Sequence, residues 1–329
     1  MSSSGDDVLT CQTLYKNNPD YSDVIPIPQR QTDPPIVSIC YTERFKDCYD
    51  YLRAFLLKNE FSERAFKLTT DAVILNPANY TVWCYRRNLL KKLNKDLRAE
   101  LEFVNGVVER NPKSYQIWFH RQVIITELDS PEKEFQIIDK IFSNDSKNYH
   151  AWQYRQWLIK HFNLFDTELE YTTRMLKDDI RNNSVWNMRY FVITHTTGYS
   201  DPDTLATEVK FTLDAIMEDA YNESPWNYLR GILMNDTIAN YIIKSGDEAI
   251  SMVNFVENMH NSGAWSNHSL GFLLDCYEEI LENSSSNKTE VLDKVQTTIN
   301  KLKQIDPIRV KYWTYVSERL HGQFSQNSQ

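Results

Sequence analysis

Basic residues and tyrosines stand at fixed distances before four evenly spaced tryptophans in this chain. A basic residue lies five positions before three of them, at Lys113, Lys147 and Arg181. A tyrosine lies three positions before three of them, at Tyr80, Tyr115 and Tyr149. Two positions before, the residue differs each time, as Thr81, Gln116, His150 and Ser184. Cations beside helix N-termini attract anions, and tyrosines add apolar surface with a hydroxyl donor, so this pattern predicts an anion-binding rim.

The same turns also allow a plainer interpretation, because surface turns often carry Lys and Tyr. No nucleophile–base arrangement, paired carboxylates, glycine-rich phosphate loop or set of metal ligands is visible in the sequence. The histidines are scattered, and each alone is interpreted as a hydrogen-bonding or surface residue: His120, His150, His161 and His195. If this chain does chemistry, it therefore supplies a cationic wall and needs another subunit for the rest.

The tryptophans define a repeat that must position these turns. Trp83, Trp118, Trp152 and Trp186 lie 35, 34 and 34 residues apart, and an arginine follows each by three residues. A period of this size is typical of an array of helical hairpins. We expect the tryptophans to fill the core. We expect the arginines to satisfy carbonyls or carboxylates between hairpins, such as Glu102, Glu134 or Glu168.

The helix boundaries follow from apolar spacing and from prolines. Apolar stripes predict helices that end at Asn76-Pro77 and Asn111-Pro112, each followed by a tryptophan-bearing helix. Ser130-Pro131 is expected to begin the next helix, and Asp166 to cap a later one. Later units, around Trp226 and Trp265, follow the pattern more loosely.

The chain has 329 residues, 8 of them glycine, and a net charge of −9. The acidic balance disfavours a nucleic-acid or anionic-membrane binder. Its five cysteines form no CxxC pair, which argues against a disulfide framework or a zinc site in this chain. No apolar run of membrane-spanning length and no signal peptide is seen, so a cytoplasmic protein is expected. We predict a proline-rich extended arm over 1–44, one repeat domain over 45–320 and a flexible tail over 321–329.

Several of these segments resemble the repeats of protein prenyltransferase α subunits. They are Asn79 to Trp83 with Arg86-Arg87, Lys147 to Trp157, Arg181 to Asn187 with Arg189, and Asn222 to Leu229. The chain is most similar to the α subunits shared by protein farnesyltransferase and geranylgeranyltransferase type I. Glu63 to Thr69, Thr196 to Tyr199 and Tyr312-Trp313 support the resemblance, which runs from about residue 21 to 320.

The resemblance implies an all-α fold, a right-handed superhelical array of helical hairpins that wraps around a β subunit. It implies transfer of a farnesyl or geranylgeranyl group from its diphosphate to the cysteine of a C-terminal CaaX motif. In the family the β subunit holds the catalytic Zn²⁺ and the isoprenoid pocket, and Mg²⁺ assists the farnesyl reaction. The implied partners are therefore a farnesyltransferase or geranylgeranyltransferase type I β subunit, a prenyl diphosphate and a CaaX peptide.

By position, the resemblance assigns Lys113 as the lysine that contacts the diphosphate and assists catalysis. Tyr115 matches a tyrosine that lines the site, and Gln116 matches the glutamine that binds the carboxylate of the peptide. Tyr149 and His150 match residues on the diphosphate and peptide side. The remaining candidates near the rim are Asn148, Tyr80 and Lys147.

The chain departs from the family pattern at three positions. Ser114 stands where the family usually has Asn, Phe119 replaces a common His, and Met188 replaces a common Gln. None removes a charge from the site; the differences concern packing beside Trp118 and the peptide exit path. Two alternatives remain, an α subunit of a Rab geranylgeranyltransferase and a non-catalytic helical scaffold that binds peptides.

Overall fold

The computed structural model describes residues 13–30, 37, 39–233, 252–283 and 288–324, and these ranges contain fifteen α-helices and no strand. The helices α1 to α7 are Glu43–Lys58, Glu63–Leu75, Tyr80–Lys92, Leu97–Arg110, Tyr115–Leu128, Glu134–Asn144 and Tyr149–Phe162. The helices α8 to α11 are Glu168–Asp178, Asn183–His195, Pro202–Glu218 and Glu223–Leu233. The helices α12 to α15 are Met252–Asn261, Asn267–Asn283, Lys288–Ile305 and Val310–Phe324. The prediction of an all-α repeat fold is thus confirmed.

The chain divides into two compact units, Met1–Phe162 and Asn163–Gln329. In the first unit, α2 packs on α3, α4 on α5 and α6 on α7, and the tryptophan helices α3, α5 and α7 also pack in series. In the second unit, α8 packs on α9 and α10 on α11, and α9 contacts α11. Helices α12 to α15 of the second unit each pack on the next. These are the hairpins that the tryptophan spacing predicts.

Each repeat tryptophan closes the turn in front of its own helix. The side chains of Trp83, Trp118, Trp152, Trp186 and Trp226 are all at most 5% exposed. Each indole N–H donates to the backbone carbonyl six residues earlier, at 2.8 to 3.0 Å. A buried indole N–H needs such an acceptor, and the turn carbonyl would otherwise lack an intrahelical donor. The predicted core role is confirmed, and the hydrogen bond explains why the residue is tryptophan rather than another large apolar one.

Two asparagines that cap tryptophan helices reach back to the preceding turn. Asn148 accepts the backbone N–H of Ala151 with its Oδ1 at 3.0 Å, while its Nδ2 donates to the carbonyl of Pro112 at 3.4 Å. Asn222 likewise accepts from Ser224 and donates to the carbonyl of Ile180 at 2.9 Å. One asparagine therefore caps a helix and ties two hairpins together.

Buried ion pairs join successive hairpins. Arg86 binds Glu100, Arg121 binds Glu134 and Arg189 binds Glu208, each through two hydrogen bonds of 2.6 to 2.7 Å. All three glutamates are at most 3% exposed. The expected arginine–carboxylate contact is confirmed for Glu134, but the expected Glu102 is wrong. Glu102 is exposed, and Glu100 faces inward because it lies half a turn away on α4.

A second side chain from the same hairpin also contacts the carboxylate of each buried glutamate. Tyr154 donates its hydroxyl to Glu134 at 2.6 Å, and Tyr228 donates to Glu208 at 2.7 Å. At the equivalent place His120 Nε2 lies 2.9 Å from Glu100. Burial and the nearby Glu134 charge raise the pKa of Tyr154 well above its ordinary value, so the phenol stays protonated and donates.

The N-terminal arm packs on α1 and α2 over its first half. Two short 3₁₀ turns, Tyr15–Asn17 and Pro19–Tyr21, bring Tyr21 and Val24 into the core. The Tyr21 hydroxyl donates to the carbonyl of Arg64 at 3.0 Å. Further along, Ile25 is 81% exposed. Residues 1–12 of the predicted arm lie outside the described ranges.

Two predicted helix starts differ from the structure. Helix α6 begins at Glu134 and not at Pro131, because residues 131–133 form a separate turn in which Glu134 N–H bonds the Pro131 carbonyl at 3.2 Å. Thr167, not Asp166, precedes α8, without a side-chain cap. The last described helix, α15, continues to Phe324, beyond the predicted end of the repeat domain at 320. No helix in the described residues is long and apolar enough to span a bilayer.

Candidate functional site

The tyrosines of the predicted rim are the first residues of their helices. Tyr80 begins α3, Tyr115 begins α5 and Tyr149 begins α7. Their side chains are 75%, 59% and 61% exposed. The tryptophan three residues later is buried on the inner side of the same helix. The turn geometry thus presents each tyrosine outward, beside the partly positive N-terminus of a helix.

Tyr115, Tyr149 and His150 form one ring cluster. The Tyr115 and His150 ring centroids are 4.1 Å apart, edge to face at 81°. Tyr149 lies 5.6 Å from His150 and 6.5 Å from Tyr115, again edge to face. Edge-to-face packing at these separations favours a fixed arrangement of the rings. The structure therefore brings together residues from two successive turns, as the sequence predicts.

His150 is half-buried beneath this cluster. Burial and the positive charge of Lys113 lower its pKa, so the imidazole is neutral at pH 7. Its Nδ1 is buried and has no partner among the described residues. A neutral imidazole with one unpaired nitrogen has the capacity for one further hydrogen bond, but it adds no positive charge.

Lys113 stands at the turn before α5, with its side chain 75% exposed. Its ammonium Nζ lies 3.4 Å from Asp145 Oδ2, in the next turn. Lys147 is also exposed, and Arg181 is bound to Asp219 at 2.5 Å. The predicted row of cations therefore contains ion pairs at Lys113 and at Arg181. Lys113 is the more loosely held of the two and is accessible to an anion.

Three other predicted site residues lie in different surroundings. Gln116 is half-buried in the first turn of α5, with its Oε1 3.2 Å from Ser114 Oγ. Asn148 is 2% exposed, and both ends of its amide are bonded within the chain. Its position is that of a structural cap. Tyr80 is exposed on α3, outside the ring cluster in the described part of the chain.

The ring cluster opens onto a groove between α5 and α7 that the sequence analysis missed. The groove has a volume of about 430 Å³. Its lining includes Trp118, Phe119, Gln122, Gln153 and Trp157. Together with Tyr115, His150 and Tyr154, these residues occupy positions i, i+3, i+4 and i+7 of each helix, which lie on a single helical face. That spacing is present in the sequence, but a stripe that contains two tryptophans is also typical of a buried helical face.

The three departures have distinct structural places. Ser114 Oγ donates to the Pro77 carbonyl at 3.3 Å, as the asparagines do elsewhere, but provides no side-chain cap for α5. Phe119 is 55% exposed and lies 5.2 Å beneath the Arg87 guanidinium. Met188 is fully buried. It occupies the position that Tyr154 and Tyr228 have in their own hairpins.

No metal-binding cluster of three or more His, Cys, Asp or Glu side chains occurs in the ranges that the structure describes. The site in this chain is thus a cationic and aromatic rim beside a groove, built at helix N-termini. It can hold an anion at its edge and apolar groups or a peptide along its wall.

These features define a class of protein, a helical-hairpin repeat protein with a cationic, tyrosine-bearing rim. The repeat of the "Protein prenyltransferase alpha subunit repeat" family matches residues 62–93, 97–128, 131–162, 165–196 and 205–236. The structure is similar to a chain of the Candida albicans protein geranylgeranyltransferase-I complexed with GGPP. The TM-score is 0.79 and the identity 30%, over 92% of this chain and 98% of that one. The chain belongs to the protein prenyltransferase α-subunit family.

Two curated relatives carry the name protein farnesyltransferase/geranylgeranyltransferase type-1 subunit alpha. The Solanum lycopersicum protein is 46% identical over 101 residues, which are 31% of this chain and 29% of the relative. The Pisum sativum protein is 49% identical over 89 residues, 27% of each. The matched stretches thus span less than a third of either relative.

Proposed function

We propose that this chain is the α subunit of a heterodimeric protein prenyltransferase of the farnesyl or geranylgeranyl type I kind. The observation that carries the proposal is the joining of Lys113, Tyr115 and His150 at one rim, in a chain with the α-subunit repeat. The names of the curated relatives support the shared subunit and do not favour a Rab-specific enzyme or a non-catalytic scaffold. The reaction takes place in the cytoplasm.

The proposed reaction breaks the C–O bond between the prenyl group and its diphosphate and forms a C–S bond to the cysteine of a CaaX peptide. Negative charge grows on the departing diphosphate. Lys113 stabilises that charge, because its ammonium is exposed at a helix N-terminus and can approach a phosphate oxygen. Lys147 adds positive charge at the next turn.

The aromatic residues and Gln116 have binding roles in this proposal. Tyr115 and Tyr149 present hydroxyl donors beside the diphosphate, and the neutral His150 ring packs edge to face against both. Gln116 contacts the terminal carboxylate of the peptide. Tyr80 is a peripheral contact, and Asn148 supports the site by holding the turn that carries Tyr149.

We propose that Zn²⁺, and Mg²⁺ in the farnesyl reaction, belong to the β subunit, as membership of the α-subunit family implies. That subunit also supplies the isoprenoid pocket. This chain contributes the diphosphate- and peptide-facing rim.

Co-expression tests the proposal directly. The chain alone is expected to show no prenyl transfer. Co-purified with a farnesyltransferase or a geranylgeranyltransferase type I β subunit, it is expected to transfer the matching group to a CaaX peptide. Assays with both diphosphates identify which β subunit it serves. Robust transfer by the chain alone, or no transfer with either β subunit, would overturn the proposal.

A further inference from the structure

Asp145 faces Lys113 from the next turn of the rim. Its Oδ2 lies 3.4 Å from Lys113 Nζ, and its side chain is 37% exposed. Its Oδ1 accepts the backbone N–H of Lys147 at 3.3 Å, in the turn that leads into α7. One carboxylate oxygen is therefore fixed by its own turn and the other is presented to the lysine.

The same pairing recurs in the second unit. Arg181 Nη2 lies 2.5 Å from Asp219 Oδ2, and Asp219 Oδ1 accepts the backbone N–H of Tyr221 at 3.1 Å. Each cation stands five residues before its tryptophan, and each aspartate stands seven residues before the next one. The carboxylate has the same anchor and the same target in both places.

The first hairpin pair provides an internal comparison. Ala78 occupies the position of Lys113, and Asn111 occupies the position of Asp145. Where the turn has no cation, the next turn has an amide in place of the carboxylate. The aspartate therefore accompanies the cation and is not required by the turn itself.

The two pairs differ in how firmly the cation is held. Asp219 is 20% exposed and binds Arg181 closely. The Lys113–Asp145 pair is longer, and Lys113 is 75% exposed. An exposed lysine–carboxylate pair is weak, so a multiply charged anion can compete for the ammonium. The contact with Asp145 therefore restrains the Lys113 side chain but leaves its ammonium able to bind another anion.

We propose that Asp145 is a positioning residue for Lys113. It holds the Lys113 ammonium near the turn before α7 until the prenyl diphosphate binds that ammonium in its place. This inference rests on the proposed function. A lysine that is already restrained loses less side-chain freedom when it meets the leaving group. The negative charge of Asp145 at the same time opposes binding of the diphosphate. Asp145 therefore favours turnover and disfavours ground-state binding.

The experiment uses the heterodimer of this chain with its β subunit and the variant Asp145→Asn. The amide keeps an oxygen for the Lys147 N–H, and asparagine already fills this position at Asn111, so the turn is preserved. We expect kcat to fall about two- to fivefold while the dissociation constant of the prenyl diphosphate decreases about twofold. The matched variant Asp219→Asn should change neither value.

A double-mutant cycle separates positioning from a structural role. In a Lys113→Ala enzyme, adding Asp145→Asn should leave kcat unchanged, because the residue that Asp145 positions is gone. A loss of the same size in both backgrounds overturns the inference. So does a variant in which turnover and diphosphate binding both weaken.

A measurement without turnover keeps the inference distinct from the proposed function. In the substrate-free heterodimer, an amine-acylating reagent followed by peptide mass spectrometry reports the reactivity of Lys113. Asp145→Asn should speed its acylation, and an unchanged rate in an active enzyme overturns the inference. A wild-type heterodimer that forms but transfers no prenyl group overturns the proposed function instead, whatever the acylation rate.

Discussion

The indole nitrogen of Trp118 and the side-chain amide of Asn148 donate to one carbonyl oxygen, that of Pro112, at 2.8 and 3.4 Å. Asn148 still has its own oxygen for capping α7. Ser114 has only a hydroxyl at the equivalent place. It donates to the Pro77 carbonyl at 3.3 Å, and α5 is left without a side-chain cap.

Ser114→Asn should therefore stabilise the protein. An asparagine can both cap α5 and reach the Pro77 carbonyl, and a restored cap contributes about 1 kcal/mol to the free energy of unfolding. Urea unfolding of the full chain would measure the gain. Ser143→Asn, an exposed change inside α6, should give no such gain. A lower unfolding free energy for Ser114→Asn would contradict the prediction.

Arg121→Ala should be strongly destabilising. It leaves Glu134, which is 1% exposed, as a buried carboxylate without its cation. Such a loss typically lowers the free energy of unfolding by about 3–5 kcal/mol. The control is Arg98→Ala, which breaks an exposed pair with Glu132 and should cost less than about 1 kcal/mol. Equal losses in the two variants would show that burial does not set the size of the effect.

Lys113→Ala should lower the turnover of the heterodimer by about 10²–10³, the usual effect of removing one group that stabilises leaving-group charge. Assembly with the β subunit should remain, since Lys113 is mostly exposed and holds no core contact. Steady-state kinetics and co-purification measure the two properties. Lys210→Ala removes an equally exposed lysine of an ion pair on α10 and should leave turnover unchanged. A fully active Lys113→Ala enzyme would remove Lys113 from the proposed mechanism.

The unfolding free energy should fall as the pH drops from 6.5 towards 4. Burial, with the charge of Lys301, lowers the pKa of His260 to about 4, although Glu257 acts in the opposite direction. The unfolded chain binds a proton near pH 6.5 and the folded chain resists it. The contribution of His260 to the free energy of unfolding is thus fully present above pH 6.5 and is lost as the pH falls from 6.5 to about 4.

Each such histidine contributes a slope of up to about 1.4 kcal/mol per pH unit. The pKa values of His120, His150 and His268 are lowered in the same direction, mainly by burial. Unfolding measured in steps from pH 7.5 to 4 tests the slope. His260→Gln should give a shallower curve than the wild type. A wild-type stability that does not vary over this range would refute the assignment.

Periodicity was enough to predict the helices and the buried tryptophans, because a 34-residue spacing and an Asn-Pro pair are local signals. It could not distinguish Glu100 from Glu102, since two positions on one helix differ only in the direction of the side chain. The Lys113–Asp145 contact joins residues 32 positions apart in sequence, and no local pattern measures that distance. The groove could not be predicted for a related reason. Trp118 and Trp157 have the spacing that is typical of core residues, although they line a cavity.

The hydrogen bonds from Arg121 to Glu134 cross the loop between α5 and α6. Each such ion pair therefore joins the second helix of one hairpin to the first helix of the next hairpin. A chain cut in that loop would expose a cation on its first fragment and a carboxylate on its second. Arg121 on the first fragment and Glu134 on the second would carry opposite charges in complementary positions. Tyr154, which also lies on the second fragment, would keep its hydrogen bond to Glu134. This loop is therefore the natural place to divide the protein into two pieces that recognise each other.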